Sequence, residues 1–207
     1  MERLIIKRFG PLRDIDIELK NINIFIGTTS SGKSTVAKLI SIFKAGALDG
    51  QSPDAQLTFS KLLTNYNIDF QIYPDTLIRY ENDGFFYQIE GKKFHSNISK
   101  NNIHGLNPIY IPAERVFFAT LSQSLFSLIN SDVPLPKWLI DFGAKFESAR
   151  TNLKELAINF LDIQYQWKDG TDYIKVADQT TIKLSQASSG IQSIVPLLLV
   201  IKNQTNP

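Results

Sequence analysis

The 207-residue sequence contains no cysteine, so disulfide bridges and thiolate-bound metals are excluded, and a reducing compartment fits. Its two histidines, His95 and His104, lie in loop-like stretches without the spacing of a metal-ligand set. No Ser-His-Asp or Cys-His arrangement is evident. Net charge is nearly lacking too. With 22 basic residues against 20 acidic, the balance of +2 offers no general attraction to nucleic acid or to an anionic membrane. Long apolar runs are missing: "MERLIIKRFGPLRDIDIELK" carries charges throughout and has no signal-peptide core, and residues 194–201 are too few to span a bilayer and include Pro196. A soluble, cytoplasmic protein with no membrane partner is the expectation.

What is present is enough apolar residue, 43% of the chain, for a sizeable core. "RLIIKRF", "DIDIEL" and "NINIFIG" read as opening strands, the first two joined by a turn at Gly10 and Pro11. Ile15, Ile17 and Leu19 alternate with charges, which predicts one buried face. "NINIFI" is apolar at nearly every position after Asn23 and predicts a central strand covered on both sides. From Lys33, "KSTVAKLISIFKAG" sets Val36, Leu39, Ile40 and Phe43 on one helical stripe, with Gly46 as its stop. Residues 57–63 fit a short helix among turn formers. "IDFQIY", "TLIRYE" and "FFYQIE" predict an antiparallel subdomain, the last two strands joined at Asn82, Asp83 and Gly84, and "NPIYIP" predicts another short strand. Helical spacing follows in Phe117, Leu121, Leu125 and Leu128, and resumes after Pro134 and Pro136 in Trp138, Phe142, Phe146, Leu153, Leu156 and Phe160. A hairpin at Asp169 and Gly170, a strand "TIKL" and an apolar helix complete the chain.

The most specific motif is "GTTSSGKST", which matches G-x-x-x-x-G-K-[ST] in full and sits between an apolar strand and an amphipathic helix. Gly27 and Gly32 let the backbone curl, so that the amides of Thr28, Thr29, Ser30, Ser31, Gly32, Lys33, Ser34 and Thr35 line a cradle for a phosphate at a helix N-terminus. Lys33 would reach the β- and γ-phosphate oxygens and the Ser34 hydroxyl would ligate Mg²⁺. ATP and Mg²⁺ are therefore the expected ligands.

Three stretches occur in a telling order: "LIIKRFGPLRDIDIELKNINIFIGTTSSGKST", then "IYIPAER", then "ASSGIQS". Together they resemble the SMC/RecF/OLD-like branch of ABC-type P-loop ATPases, within the AAA family of ATP-binding proteins. The resemblance implies an α/β fold, an ABC-type head with a mixed sheet, an antiparallel β subdomain and an inserted helical lobe. Its parts would be a nucleotide-binding lobe over residues 1–115, a helical lobe with a β-hairpin over 116–187, and a signature helix over 188–207. Ser188, Ser189 and Gly190 stand in the signature positions, which in such proteins meet ATP held by an opposite head. A homodimer or a partner ATPase head is thus implied, with DNA repair or phage defence as the setting and a nuclease and DNA as further partners. Where the family has a glutamine, this sequence has Ala113, Glu114 and Arg115. Glu114 is the candidate for contact with Mg²⁺ or water, beside Lys33 as the other catalytic candidate; the competing reading is a helix cap or surface ion pair.

The family's acidic pair after the signature helix has no counterpart here, and Asp69, Asp141 and Asp162 are not preceded by an apolar strand. In-line phosphoryl transfer needs such acids. The sequence is accordingly expected to be a truncated or frame-interrupted form, or half of a split head, whose final helix seeks cover. Two alternatives stand beside the ATPase head: a nucleotide binder without hydrolysis, and a P-loop kinase or GTPase. Arg3, Lys7, Arg8, Arg13, Lys92 and Lys93 read as solvated strand positions or as contacts to a nucleic-acid backbone or ATP phosphates, and the resemblance, through residues 9–12, implies Phe9 or Arg13 as a contact near the adenine. Asp141 and Lys145 are spaced for a surface pair. Trp138, Phe142 and Phe146 read as core.

Overall fold

The structure, a computed structural model, describes residues 1–46, 48–98, 108–121, 135–176 and 180–205. His104, Leu125, Leu128 and Pro134 lie outside them. The chain forms two compact units, residues 1–110 and 111–207.

In the first unit, strands β1 (Glu2–Phe9) and β2 (Leu12–Leu19) form a hairpin, followed by helices α1 (Lys33–Lys44) and α2 (Ala55–Asn65) and strands β3 (Leu77–Asn82), β4 (Phe85–Glu90) and β5 (Lys93–Ser96). The strands make one antiparallel sheet in the order β2-β1-β3-β4-β5. Its registers follow the apolar alternation: Leu4 faces Ile17 and Tyr80, and Ile6 faces Ile15 and Ile78, so one face is apolar. That face is covered by Val36, Leu39, Ile42 and Phe43 of α1 and by Phe59 and Leu63 of α2, all buried. Phe43 is central. Its ring stacks with Phe59, Tyr80 and Tyr87 at centroid distances of 5.8, 5.2 and 5.6 Å, each such pair adding about 0.5–1.5 kcal/mol beyond area burial. Gly84 and Asp83, both at positive φ, make the expected β3–β4 turn.

The opposite face is a lattice of charges. Arg3 donates to Asp16 through Nε (2.7 Å) and Nη2 (2.6 Å), and Arg79 donates to Glu81 and Gln88. The hydrogen bond from Arg3 holds the Asp16 carboxyl below the usual carboxylate range. Arg8 is likewise paired, with Asp75.

The second unit holds α3 (Val116–Leu121), α4 (Lys137–Leu153), strands β6 (Glu155–Ile158), β7 (Ile163–Lys168), β8 (Thr171–Val176) and β9 (Thr181–Lys183), and α5 (Ser189–Thr205). The strands form an antiparallel sheet in chain order. Phe118 packs on Phe142 and Phe146 at 5.1 and 6.4 Å, so the aromatic stripe is core, as its spacing implied. A buried polar knot ties α4 to the sheet. Tyr165 donates to Asp172 (2.5 Å), Arg150 donates to the same carboxylate (3.4 Å), and the Arg150 guanidinium lies 4.1 Å from the Trp167 ring centre.

Several expectations fail. "NINIFI" is not a buried central strand: Ile22, Ile24 and Ile26 are 82%, 79% and 92% exposed, and no strand pairs with them among the described residues. For the same reason no mixed sheet forms there, since every strand pairing among the described residues is antiparallel. "IDFQIY" and "IYIP" take no strand pairing either. The helix through Trp138 ends at Leu153, because Lys154 adopts φ 53 and the chain turns into β6; Leu156 belongs to that strand and Phe160 to a short 3₁₀ turn. Asp141 accepts from Lys137 (2.5 Å) rather than pairing with Lys145, the other residue one helical turn away. The last helix is covered on one side only: Val195, Leu199 and Val200 are buried while Ile201 is 43% exposed.

Candidate functional site

The loop over residues 27–35 is shaped by two left-handed positions, Ser30 (φ 62) and Gly32 (φ 89), immediately before α1 begins at Lys33. Gly32 is required there twice over. Its φ disfavours any side chain, and a Cβ at this position would lie 2.3 Å from the Leu12 side chain and 3.2 Å from Pro11. The β1–β2 turn is therefore the floor on which the loop rests. That turn is itself built from two left-handed positions, Arg8 (φ 48) and Gly10 (φ 54), with Phe9–Leu12 continuing the register of Lys7–Asp14. Thr76, fully buried, fixes the left-handed Arg8 by donating from Oγ1 to its carbonyl at 2.8 Å.

Above this floor Thr28, Thr29, Ser30, Ser31 and Ser34 are exposed, Gly27 is open to solvent, and Thr35 is 5% exposed, turned into the core. Lys33 folds back over the loop, donating from Nζ to the carbonyls of Gly27 (2.9 Å) and Thr28 (2.6 Å) and to Ser31 Oγ (3.3 Å). No acidic residue occupies the first turn of α1, and no side chain caps it. A cation and the amides and positive dipole end of a helix start thus converge with no acidic residue in that helix's first turn, an arrangement suited to a polyanion.

The other predicted site residues belong to the second unit. Glu114 lies in a 3₁₀ turn, Ala113–Arg115, exposed and without an ion pair among the described residues. Its neighbour Arg115 donates to the carbonyls of Ser193 (2.9 Å) and Pro112 (3.0 Å), which fastens this turn to α5 rather than forming a surface ion pair. Ser188 caps α5, its Oγ accepting from the Ile191 amide at 3.4 Å, and Gln192 donates to the carbonyls of Ser185 and Ala187 at 3.0 and 2.7 Å. Ser188, Ser189 and Gly190 are all exposed at that helix start.

Phe9 is fully buried and offers no ring to a base. A ring that sequence reasoning did not place beside this floor is Phe70, 37% exposed, which lies against Gly10 and meets Phe9 edge-on at 5.4 Å. Nothing in "IDFQIY" marks it, because an alternating apolar stretch reads as a strand. His95 sits exposed on β5, and among the described residues no group of three or more His, Cys, Asp or Glu is placed to hold a metal ion. No helix among the described residues is long and apolar enough to cross a membrane.

A family model described as an AAA ATPase domain matches residues 1–133, well over half of the chain and the whole of the loop just described. The chain belongs to the AAA ATPase domain family. No curated protein matches it. Membership and motif agree on the coarse reading: this AAA ATPase domain carries a P-loop, and nucleotide binding, with ATP and usually Mg²⁺, is what the family implies.

Proposed function

We propose that this AAA ATPase domain is the ATP-binding portion of an SMC/RecF/OLD-like head. The observation that carries the reading is the cradle at the start of α1, where Lys33 gathers the loop carbonyls beside the amides of a first turn that holds no acidic residue. In this reading the amides of residues 27–35 hold the β-phosphate, Lys33 exchanges its loop carbonyls for phosphate oxygens, and Ser34 offers its hydroxyl to Mg²⁺. Bound Mg-ATP supplies the polarised terminal phosphate. Phe70, one residue pair from the floor of the loop, offers an apolar surface to the base. Ser188, Ser189 and Gly190, exposed at the start of α5, are the surface for the nucleotide of a second head, either another copy or a partner ATPase. Glu114 is the acid we assign to Mg²⁺ or water. By the resemblance, the work is DNA repair or phage defence beside a nuclease; the charged face of the first sheet, with Arg3 and Arg8 already paired to carboxylates, is not the part that would hold DNA.

A second reading, nucleotide binding without turnover, is favoured by the lack of an acidic pair after an apolar strand in these 207 residues. Calorimetry with ATP in millimolar Mg²⁺, followed by a phosphate-release assay, tests both. Saturable ATP uptake is expected, weakened about 30-fold or more in Lys33→Ala, since a charge-assisted contact to a buried phosphate is worth about 2–5 kcal/mol. Folded wild-type protein that takes up no ATP, or a Lys33→Ala variant that binds equally, would refute the assignment. Phosphate release abolished by Lys33→Ala decides for the ATPase over the inert binder, and a preference for GTP would favour the kinase or GTPase class.

A further inference from the structure

A cavity of about 430 Å³ opens in the first unit, away from the phosphate loop, where three elements converge. The α2 helix contributes Gln56, Phe59 and Ser60, the stretch before β3 contributes Gln71 and Ile72, and the β4–β5 hairpin contributes Ile89, Lys92, Lys93 and Phe94. Phe59 and Ile89 are buried, Phe94 is half-buried, and the Phe59 and Phe94 rings stand 6.2 Å apart at 44°. This gives an apolar floor of the size and kind that small ligands occupy.

The rim has the opposite character. Among the described residues, Lys92 and Lys93 are the only charged ones lining the cavity, and neither has an ion pair there. Glu90, opposite Lys93 in the strand register, does not line the cavity and accepts instead from Gln88 at 3.2 Å. The backbone beside the lysines is fixed. Gly91, at φ +52, donates its amide to the Thr76 carbonyl at 2.8 Å and abuts Pro74, which pins the Gly91–Lys92 turn, with Lys93 following as the first residue of β5. A ligand with a flat apolar body and one negative charge satisfies floor and rim together; a cation is repelled at the rim, and a neutral ring leaves both ammonium groups unused.

We propose that this cavity is a binding site for a small aromatic carboxylate, its ring on Phe59, Ile89 and Phe94 and its carboxylate at Lys92 and Lys93. The proposal is independent of the nucleotide reading, since no residue is shared with the phosphate loop. The test titrates 2-naphthoate into the full chain by calorimetry and by NMR, with neutral 2-naphthalenemethanol as comparator. One saturable site is expected, with the comparator and the double variant Lys92→Glu/Lys93→Glu each about tenfold weaker, the size of two partly exposed ion contacts. Ser60→Trp, which fills the cavity from an exposed helix position, removes binding; Gln56→Trp serves the same end if that variant does not fold. Lys33→Ala binds naphthoate as the wild type does. Absence of saturable uptake by folded protein, equal affinity for the neutral comparator, or unchanged binding in a folded cavity-filling variant overturns the proposal.

Discussion

Leu4 and Ile6 in β1 are fully buried, whereas Ile22, Ile24 and Ile26, on the stretch leading into the phosphate loop, stand 82%, 79% and 92% exposed. Both stretches are rich in branched apolar residues, and by pattern alone both read as strands. What differs is company. β1 has β2 on one edge, β3 on the other, and α1 across its apolar face, while residues 22–26 have no paired strand among the described residues. Alternation thus states what a segment is able to pair as, and neighbours decide whether its side chains leave water. The phosphate loop hangs between these two regimes, with an exposed approach behind it and the packed floor of Leu12 and Pro11 beneath it.

The sharpest way to break the comparison is to remove a ring from the packed side and a side chain from the bare side. Phe43→Ala deletes the ring on which Phe59, Tyr80 and Tyr87 stack and is expected to cost about 3–5 kcal/mol by denaturant unfolding. Ile24→Ser, at a position 79% exposed, is expected to alter the same midpoint by no more than about 0.5 kcal/mol. Comparable losses in the two variants would mean that the stretch is buried in solution.

Gly32→Ala probes the join between the regimes. The new methyl meets Leu12 and is forced to φ near +89, for a combined cost of about 2–4 kcal/mol from strain and overpacking. Thermal unfolding and ATP calorimetry are expected to fall together. Retained stability with lost binding would show that the loop moves independently of its floor.

The two hairpins of the first sheet were readable because their instructions are local: Gly84 and Asp83 close β3 on β4, Gly10 closes β1 on β2, and each register then follows from alternation, whereas the β1–β3 pairing that joins them was not. The phosphate loop was readable because its residue types are dictated by backbone geometry at Gly32 and by the charge at Lys33. Other features depend on distant parts of the chain and left no such mark. The end of α4 at Leu153 hinges on Lys154 taking φ 53, although Leu156 and Phe160 continue the helical spacing. Phe70 acquires its position from Gly10 and Phe9, which lie 60 residues earlier and cannot be inferred from an apolar alternation. Ser188 illustrates the limit in another way, since a hydroxyl that caps α5 and one that meets a phosphate call for the same residue in the same place.

The smallest expected effect uses a group found only on the packed side. The Tyr87 hydroxyl, buried beneath the sheet, donates to the Leu48 carbonyl at 2.9 Å. Burial pushes its pKa up from 10.0 to about 12, and the Asp49 charge adds to the shift. Below pH 10 the phenol is neutral in both folded and unfolded chains, and its contribution to stability is complete. Between pH 10 and about 12 the unfolded chain sheds this proton while the folded chain keeps it, so stability falls as pH rises through that window. Tyr80 and Tyr165, raised further, act in the same direction. Tyr87→Phe is expected to cost about 1 kcal/mol at neutral pH for the lost hydrogen bond and to make the alkaline decline shallower. Ile24→Ser should leave that decline unchanged, because Ile24 is 79% exposed and buries no phenol. Denaturant midpoints measured from pH 8 to 12 separate the cases: an identical slope in wild type and Tyr87→Phe would mean that this phenol is already wet, and that the packed side of the comparison ends short of β4.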